Sequence, residues 1–186
     1  SEEEGSISDH ERIEALKKLE NFSFAHLHNH TQFSILQSTI DVKGLVKKAG
    51  EHKMKAVALT DTGNMMAAFH FERAVANFNK DSRAKREEAE ENGEVFEDEE
   101  IMPIIGCEFN VCRDLTDKTQ KDNGYQVVFL AKNRAGYHNL IKLASIAFTE
   151  GKYYVPRIDK KVIEQYAGDL MVLTGNLYGE VPSLVL

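Results

Sequence analysis

A chain of 186 residues with 42% apolar and 28% charged side chains has enough apolar material for one buried core, and so for one domain or most of one. It has no run approaching the roughly 20 apolar residues of a membrane span, and two cysteines are too few for a disulfide scaffold, which makes a reducing cytoplasm the default. The formal charge of −7 is local: residues 80–100 hold ten acidic against four basic side chains, so the rest is nearly neutral and charge neither favours nor excludes nucleic acid.

In chain order, SEEEGSISDHER lacks the basic and apolar regions of a signal peptide. A first helix, within an N-terminal segment of residues 1–21, is predicted with Ser8 or Asp9 as cap and Ile13, Leu16 and Leu19 on one face. A strand from about Phe22 to Thr31 ends in histidines. DVKGLVKKAGEHK reads as an amphipathic helix capped by Asp41, and the apolar run from Ala56 as a buried strand. A helix is predicted from about Asn64. Residues 79–100 lack an apolar period and read as a charged, solvated insertion, partly helical at best.

Strands are predicted again at MPIIGCEFNV and YQVVFLAK. Cys107 and Cys112, five apart on the first of these, point to opposite faces and are no zinc pair. RAGYHNLIKLASIAFTEG gives a helix with Gly151 as C′ residue. Residues 152–159 read as a loop, a short helix follows through Val162 to Tyr166, DLMVLTG forms a last strand, and GEVPSLVL begins a helix. Apolar strands separated by helices predict parallel β/α units in a domain over residues 22–186. About five strands are too few to close a barrel of seven or eight, so a truncated barrel is the first reading and an open doubly wound sheet the second.

Chemistry concentrates in FAHLHNHT. On a strand, His26, His28 and His30 project to one face about 6.6 Å apart, and two imidazoles so spaced can converge on a divalent ion. An isolated H-x-H is more often a surface or hydrogen-bonded pair. Context comes from Asp61 in TDTGN, which could also cap the next helix. Glu108 lies in an otherwise apolar run, where a lone buried carboxylate is costly without a cation. Thr174 and Asn176 sit at the end of the last strand. A carboxylate with two histidines suits zinc or manganese. His10, His52 and His138 are read as helix-surface residues and His70 as semi-buried.

HLHNHTQFS, ALTDTGN, PIIGCEFNV, AKNRAGYHNLIKLAS, YYVPRID and LTGNLYGEVP together resemble the PHP domain at the amino terminus of bacterial DNA polymerase III alpha subunits. The resemblance covers nearly everything from Phe24 onward except the charged insertion. It implies a distorted β/α barrel whose rim can hold up to three divalent metals and which in some members hydrolyses phosphoesters, including nucleotides at a 3′ end. His28, His30 and Glu108 match family ligands. Gln37, Thr62, Gln126 and Asn176 fall where the family carries an acid, a histidine, a histidine and a cysteine or histidine.

Neutral amides and hydroxyls bind transition metals poorly, so at most one zinc or manganese, or none, is expected, and hydrolysis lost or vestigial. The resemblance implies a structural and interaction role within a replicative polymerase. Its partners would be the remainder of that chain, holoenzyme proteins such as a proofreading subunit, and DNA, with no membrane. The alternative is an active metal-dependent phosphoesterase or 3′–5′ exonuclease. An amidohydrolase-like barrel would need a bridging lysine and further histidines that have no candidates here. Nucleotidyl transfer needs clustered carboxylates, and no Asp-x-Asp in an apolar strand is present.

Overall fold

The computed structural model describes residue 8 and residues 12–14, 16–17, 24–96 and 100–185. Of the predicted first helix, residues 12–14 and 16–17 are helical, with Ile13 and Leu16 more than half exposed. Asp9, His10 and Leu19 lie outside the described residues.

Helix α1 (Val42–Glu51) starts where the Asp41 carboxylate accepts the Gly44 N–H. It buries Val42, Leu45, Val46 and Ala49, the spacing of one helical face. Strand β1 (Ala56–Leu59) is buried throughout. Helix α2 spans Ala68–Glu91, four residues later than the predicted start and far into the predicted insertion. The correction has a local cause. Residues 79–91 supply strong helix formers (Ala, Lys, Arg, Glu), and Asn79 is pinned to Ile101 by reciprocal bonds of 2.9 and 2.8 Å.

Strand β2 (Met102–Cys112) is the spine. Its first half pairs in parallel with β1, and residues 106–111 pair antiparallel with β3 (Tyr125–Ala131). Residues 110–112 also pair in parallel with β4 (Arg157–Asp159). Gly106 marks the change of partner: a Cβ there would meet Leu130 and the Phe129 carbonyl at 2.6 Å. Helix α3 (Arg134–Thr149) is capped by Asn133, and Gly151 follows its C-cap Glu150. Asp159 ends β4 and caps α4 (Lys160–Tyr166). Strand β5 (Leu170–Leu173) pairs antiparallel with β3, and α5 spans Glu180–Val185.

The result is a mixed five-stranded sheet, ordered β1-β2-β3-β5 with β4 also on β2. The expectation of uniformly parallel units fails at β3, which is antiparallel to both neighbours. Two strand assignments also change. Within the predicted strand at residues 22–31, the described residues 24–31 are extended but form no ladder. They dock on β1 through Ala58 N–H to His26 O and Thr60 N–H to Asn29 O, both 3.0 Å. The Asn29 amide takes the Ala58 carbonyl at 2.9 Å in place of a backbone donor. Conversely, the predicted loop at 152–159 contains β4, whose charged residues disguised it. Two large apolar clusters pack on the sheet, one joining α1, α2 and β1, the other β2, β3, β4, β5, α3 and α4, and a small third one gathers Ala58, Val128 and Leu130. Both cysteines are buried and free.

Candidate metal centre

The extended segment along β1 and the middle of β2 bring three side chains to one point. His28 Nε2 lies 2.9 Å from Glu108 Oε2, His30 Nε2 lies 3.5 Å from Glu108 Oε1, and the two Nε2 atoms are 3.2 Å apart. Among the described residues this is the grouping of three potential metal ligands, with ligand atoms all within 4.8 Å of one another. Glu108 is fully buried. Its backbone is locked to the β1 extension: Glu108 N–H donates to Asp61 O at 3.1 Å and Gly63 N–H to Glu108 O at 2.7 Å.

Burial pushes the Glu108 carboxyl up, but hydrogen bonds from His28, His30 and Thr62 more than offset this and hold it at about 2. The same bond to Glu108 raises the His30 imidazole above its ordinary 6.5. Without an ion, the cluster is therefore a buried carboxylate held between two imidazoles. Two histidines and a carboxylate this close suit one zinc or manganese ion.

Neutral groups complete the surroundings. The Thr62 hydroxyl lies 2.8 Å from Gln37 Oε1 and 3.0 Å from Glu108 Oε1, so its single proton is shared. Gln126 and Asn176 sit together elsewhere, the Asn176 amide donating to Gln126 Oε1 at 3.0 Å. Gln37, Thr62 and Gln126 line one cavity of 690 Å³.

Asp61, read as a residue beside the ligands or as a helix cap, does not cap α2. Its buried carboxylate accepts the Thr31 N–H (2.6 Å), the Thr31 hydroxyl (2.7 Å) and the Ser34 hydroxyl (2.7 Å). It thereby fixes the loop between His30 and Gln37. His26 is exposed, its ring edge-on to Phe24 at 4.8 Å. His70, expected semi-buried, is exposed and stacks on Phe33 at 6.3 Å. Thr31 and Ser34 were missed by the sequence reading. The available signal was a pair of hydroxyls just after the H-x-H, in reach of the TDTGN aspartate.

The sequence pattern that defines the PHP domain matches residues 26–186. The chain belongs to the PHP domain family. It is 36% identical over 168 residues to a DNA polymerase III subunit alpha of Treponema pallidum, covering 88% of this chain and 13% of that protein. Against the Aquifex aeolicus subunit it is 36% identical over 165 residues, 84% of this chain and 12% of that one. The Helicobacter pylori subunit is 36% identical over 164 residues, again 12% of its length. The chain thus spans about an eighth of these relatives. Within this PHP domain the three converging side chains are a possible metal site, and no helix among the described residues is long and apolar enough to cross a membrane.

Proposed function

We propose that this chain is the amino-terminal PHP portion of a cytoplasmic DNA polymerase III alpha polypeptide and serves DNA replication as a structural and interaction domain. Nucleotidyl transfer and DNA contact belong to the rest of that polypeptide, on which, together with a proofreading subunit, the domain docks. In this reading the sheet is part of a distorted β/α barrel. The observation that carries the reading is the Thr62–Gln37 pair on Glu108. Where a second ion would need charged donors, the site offers a hydroxyl and an amide.

His28, His30 and Glu108 would hold one zinc or manganese. Such an ion supplies Lewis-acid polarisation of a phosphoryl oxygen. The chain's own groups supply less: Glu108 keeps the imidazoles oriented, and Thr62 shares a proton with it. A phosphoesterase reading draws on the same convergence and on the adjoining cavity, and one experiment separates the two. The chain is titrated calorimetrically with zinc and with manganese, then incubated with a 3′-labelled single-stranded oligonucleotide. The expected result is at most one equivalent bound and no hydrolysis. Binding is tighter at pH 8 than at pH 6, because the raised His30 must shed its proton first. Two or three equivalents, with hydrolysis that His28→Ala abolishes, would overturn the proposal.

A further inference from the structure

A separate cavity of 630 Å³ lies where the starts of α1 and α2 meet the loop after Thr31, and none of the residues read as family ligands lines it. Its longest wall is α2. His70, Arg73 and Asn77 stand there at the spacing of one helical face, turned away from the core face that buries Phe71 and Val75, and all three are exposed. Lys43, in the first turn of α1, is exposed as well and shares the cavity with Gln32 and Phe33.

Charge and shape give the cavity its character. Among the described residues, neither the Lys43 ammonium nor the Arg73 guanidinium forms an ion pair. Asp41, the carboxylate in the lining, accepts the Gly44 N–H at the start of α1. The His70 ring stacks on Phe33, the planes 15° apart and the centroids 6.3 Å apart. Phe33 in turn packs on the apolar cluster of α1, α2 and β1, which holds this aromatic face in place. Gln32 and Asn77 add amides that can both donate and accept. From His70 to Asn77 is about 10 Å along the helix, the reach of about three residues of extended chain. A lone anion would leave most of that length empty. Two spaced cations, one of them a guanidinium suited to carboxylates, amides for a peptide backbone and a fixed aromatic face match an acidic peptide.

We propose that this cavity docks an extended acidic segment of a partner polypeptide, its carboxylates on Lys43 and Arg73 and an apolar side chain against the Phe33–His70 stack. The site rests on the interaction role proposed above and gives that role a surface and a partner chemistry. The test uses the 186-residue chain in EDTA and follows, by anisotropy, a fluorescein-labelled short peptide of glutamates around a central phenylalanine. The peptide binds, more weakly as salt is added, and its glutamine counterpart does not. Lys43→Ala with Arg73→Ala lowers affinity at least tenfold while the melting temperature holds, because both side chains are exposed and unpaired. Lys43→Glu with Arg73→Glu turns the preference over to a lysine version of the peptide. Lys142→Ala, on the exposed side of α3, removes a charge elsewhere and leaves binding unchanged. The proposal fails if the acidic peptide does not bind at millimolar concentration or if the double alanine chain binds it like the unaltered one. It fails equally if inorganic phosphate displaces the peptide at matched concentration, or if oligothymidylate binds more tightly and is lost with the same two side chains. Metal and hydrolysis play no part in this assay, so its failure leaves the zinc titration and the oligonucleotide incubation to judge the earlier reading separately.

Discussion

Replacing Glu108 by Gln isolates the charge at the centre of the cluster, because glutamine has the shape of a protonated glutamate. A carboxyl held at about 2 rather than its ordinary 4.5 corresponds to about 3 kcal/mol of native-state stability, at about 1.4 kcal/mol for each pH unit. The residue is fully buried, so little of this is lost to solvent screening. The sign follows from linkage. A lowered carboxyl stabilises above its unfolded value of 4.5 and loses that contribution as pH falls toward 2. His30, raised above 6.5, stabilises below 6.5 and loses its contribution as pH rises through its folded value. Both describe one interaction, so the two are not added, and the window in which the contribution is fully present lies between 4.5 and 6.5. In EDTA near pH 5.5, Glu108→Gln should lower stability by about 3 kcal/mol, a fall in melting temperature of about 6–12 °C for a chain of this size. The gap should narrow on both sides of that window. Thermal denaturation of both chains across pH 2.5–8 measures it. A constant offset across the series, or none at pH 5.5, would refute the electrostatic account of the cluster.

Asp61→Ala strands two buried hydroxyls and an N–H, costing about 2–4 kcal/mol; hydrogen exchange should quicken in residues 31–38 first, and unchanged exchange there would remove its anchoring role. Asp61→Asn, which keeps an acceptor oxygen, should cost less than the alanine. Thr62→His combined with Gln37→Asp returns an imidazole and a carboxylate to the edge of Glu108, and calorimetry should then find two equivalents of zinc instead of one. A stoichiometry that stays at one would mean that geometry, not donor chemistry, limits the site.

The sequence revealed elements wherever burial and periodicity agreed. α1 shows its apolar stripe, β1 an unbroken apolar run, β2 a largely apolar one, and α3 a stripe ending at Gly151. It failed where polarity and burial part company. β4 is buried throughout although two of its three residues are charged, because Arg157 spends its donors on carbonyls and Asp159 its acceptors on backbone N–H groups. α2 differs in the opposite sense: its distal half is mostly exposed, as the lack of an apolar period required, yet helix propensity together with the Asn79–Ile101 and Arg83–Glu100 contacts makes residues 79–91 helical rather than only partly so. The antiparallel placement of β3 was not legible, since apolar runs of equal length serve either direction.

At the site, alternation exposed the histidine pair, and Glu108 stood out as a lone acid in an apolar strand. The fate of the neutral positions required coordinates. On the proposed reading, Gln37, Thr62, Gln126 and Asn176 stand where ligands have gone, and they settle as two hydrogen-bonded pairs, Thr62 donating to Gln37 and Asn176 to Gln126. An amide or hydroxyl carries both donor and acceptor, so such neighbours sit together without help. Imidazoles and carboxylates brought equally close need a proton or a cation between them. The neutral exchanges therefore relieve the fold of its dependence on metal at those positions. On the same proposed reading, His28, His30 and Glu108 are left as the place where a proton and a metal ion would compete for the same three atoms, and that competition is what the pH dependence of zinc binding would read.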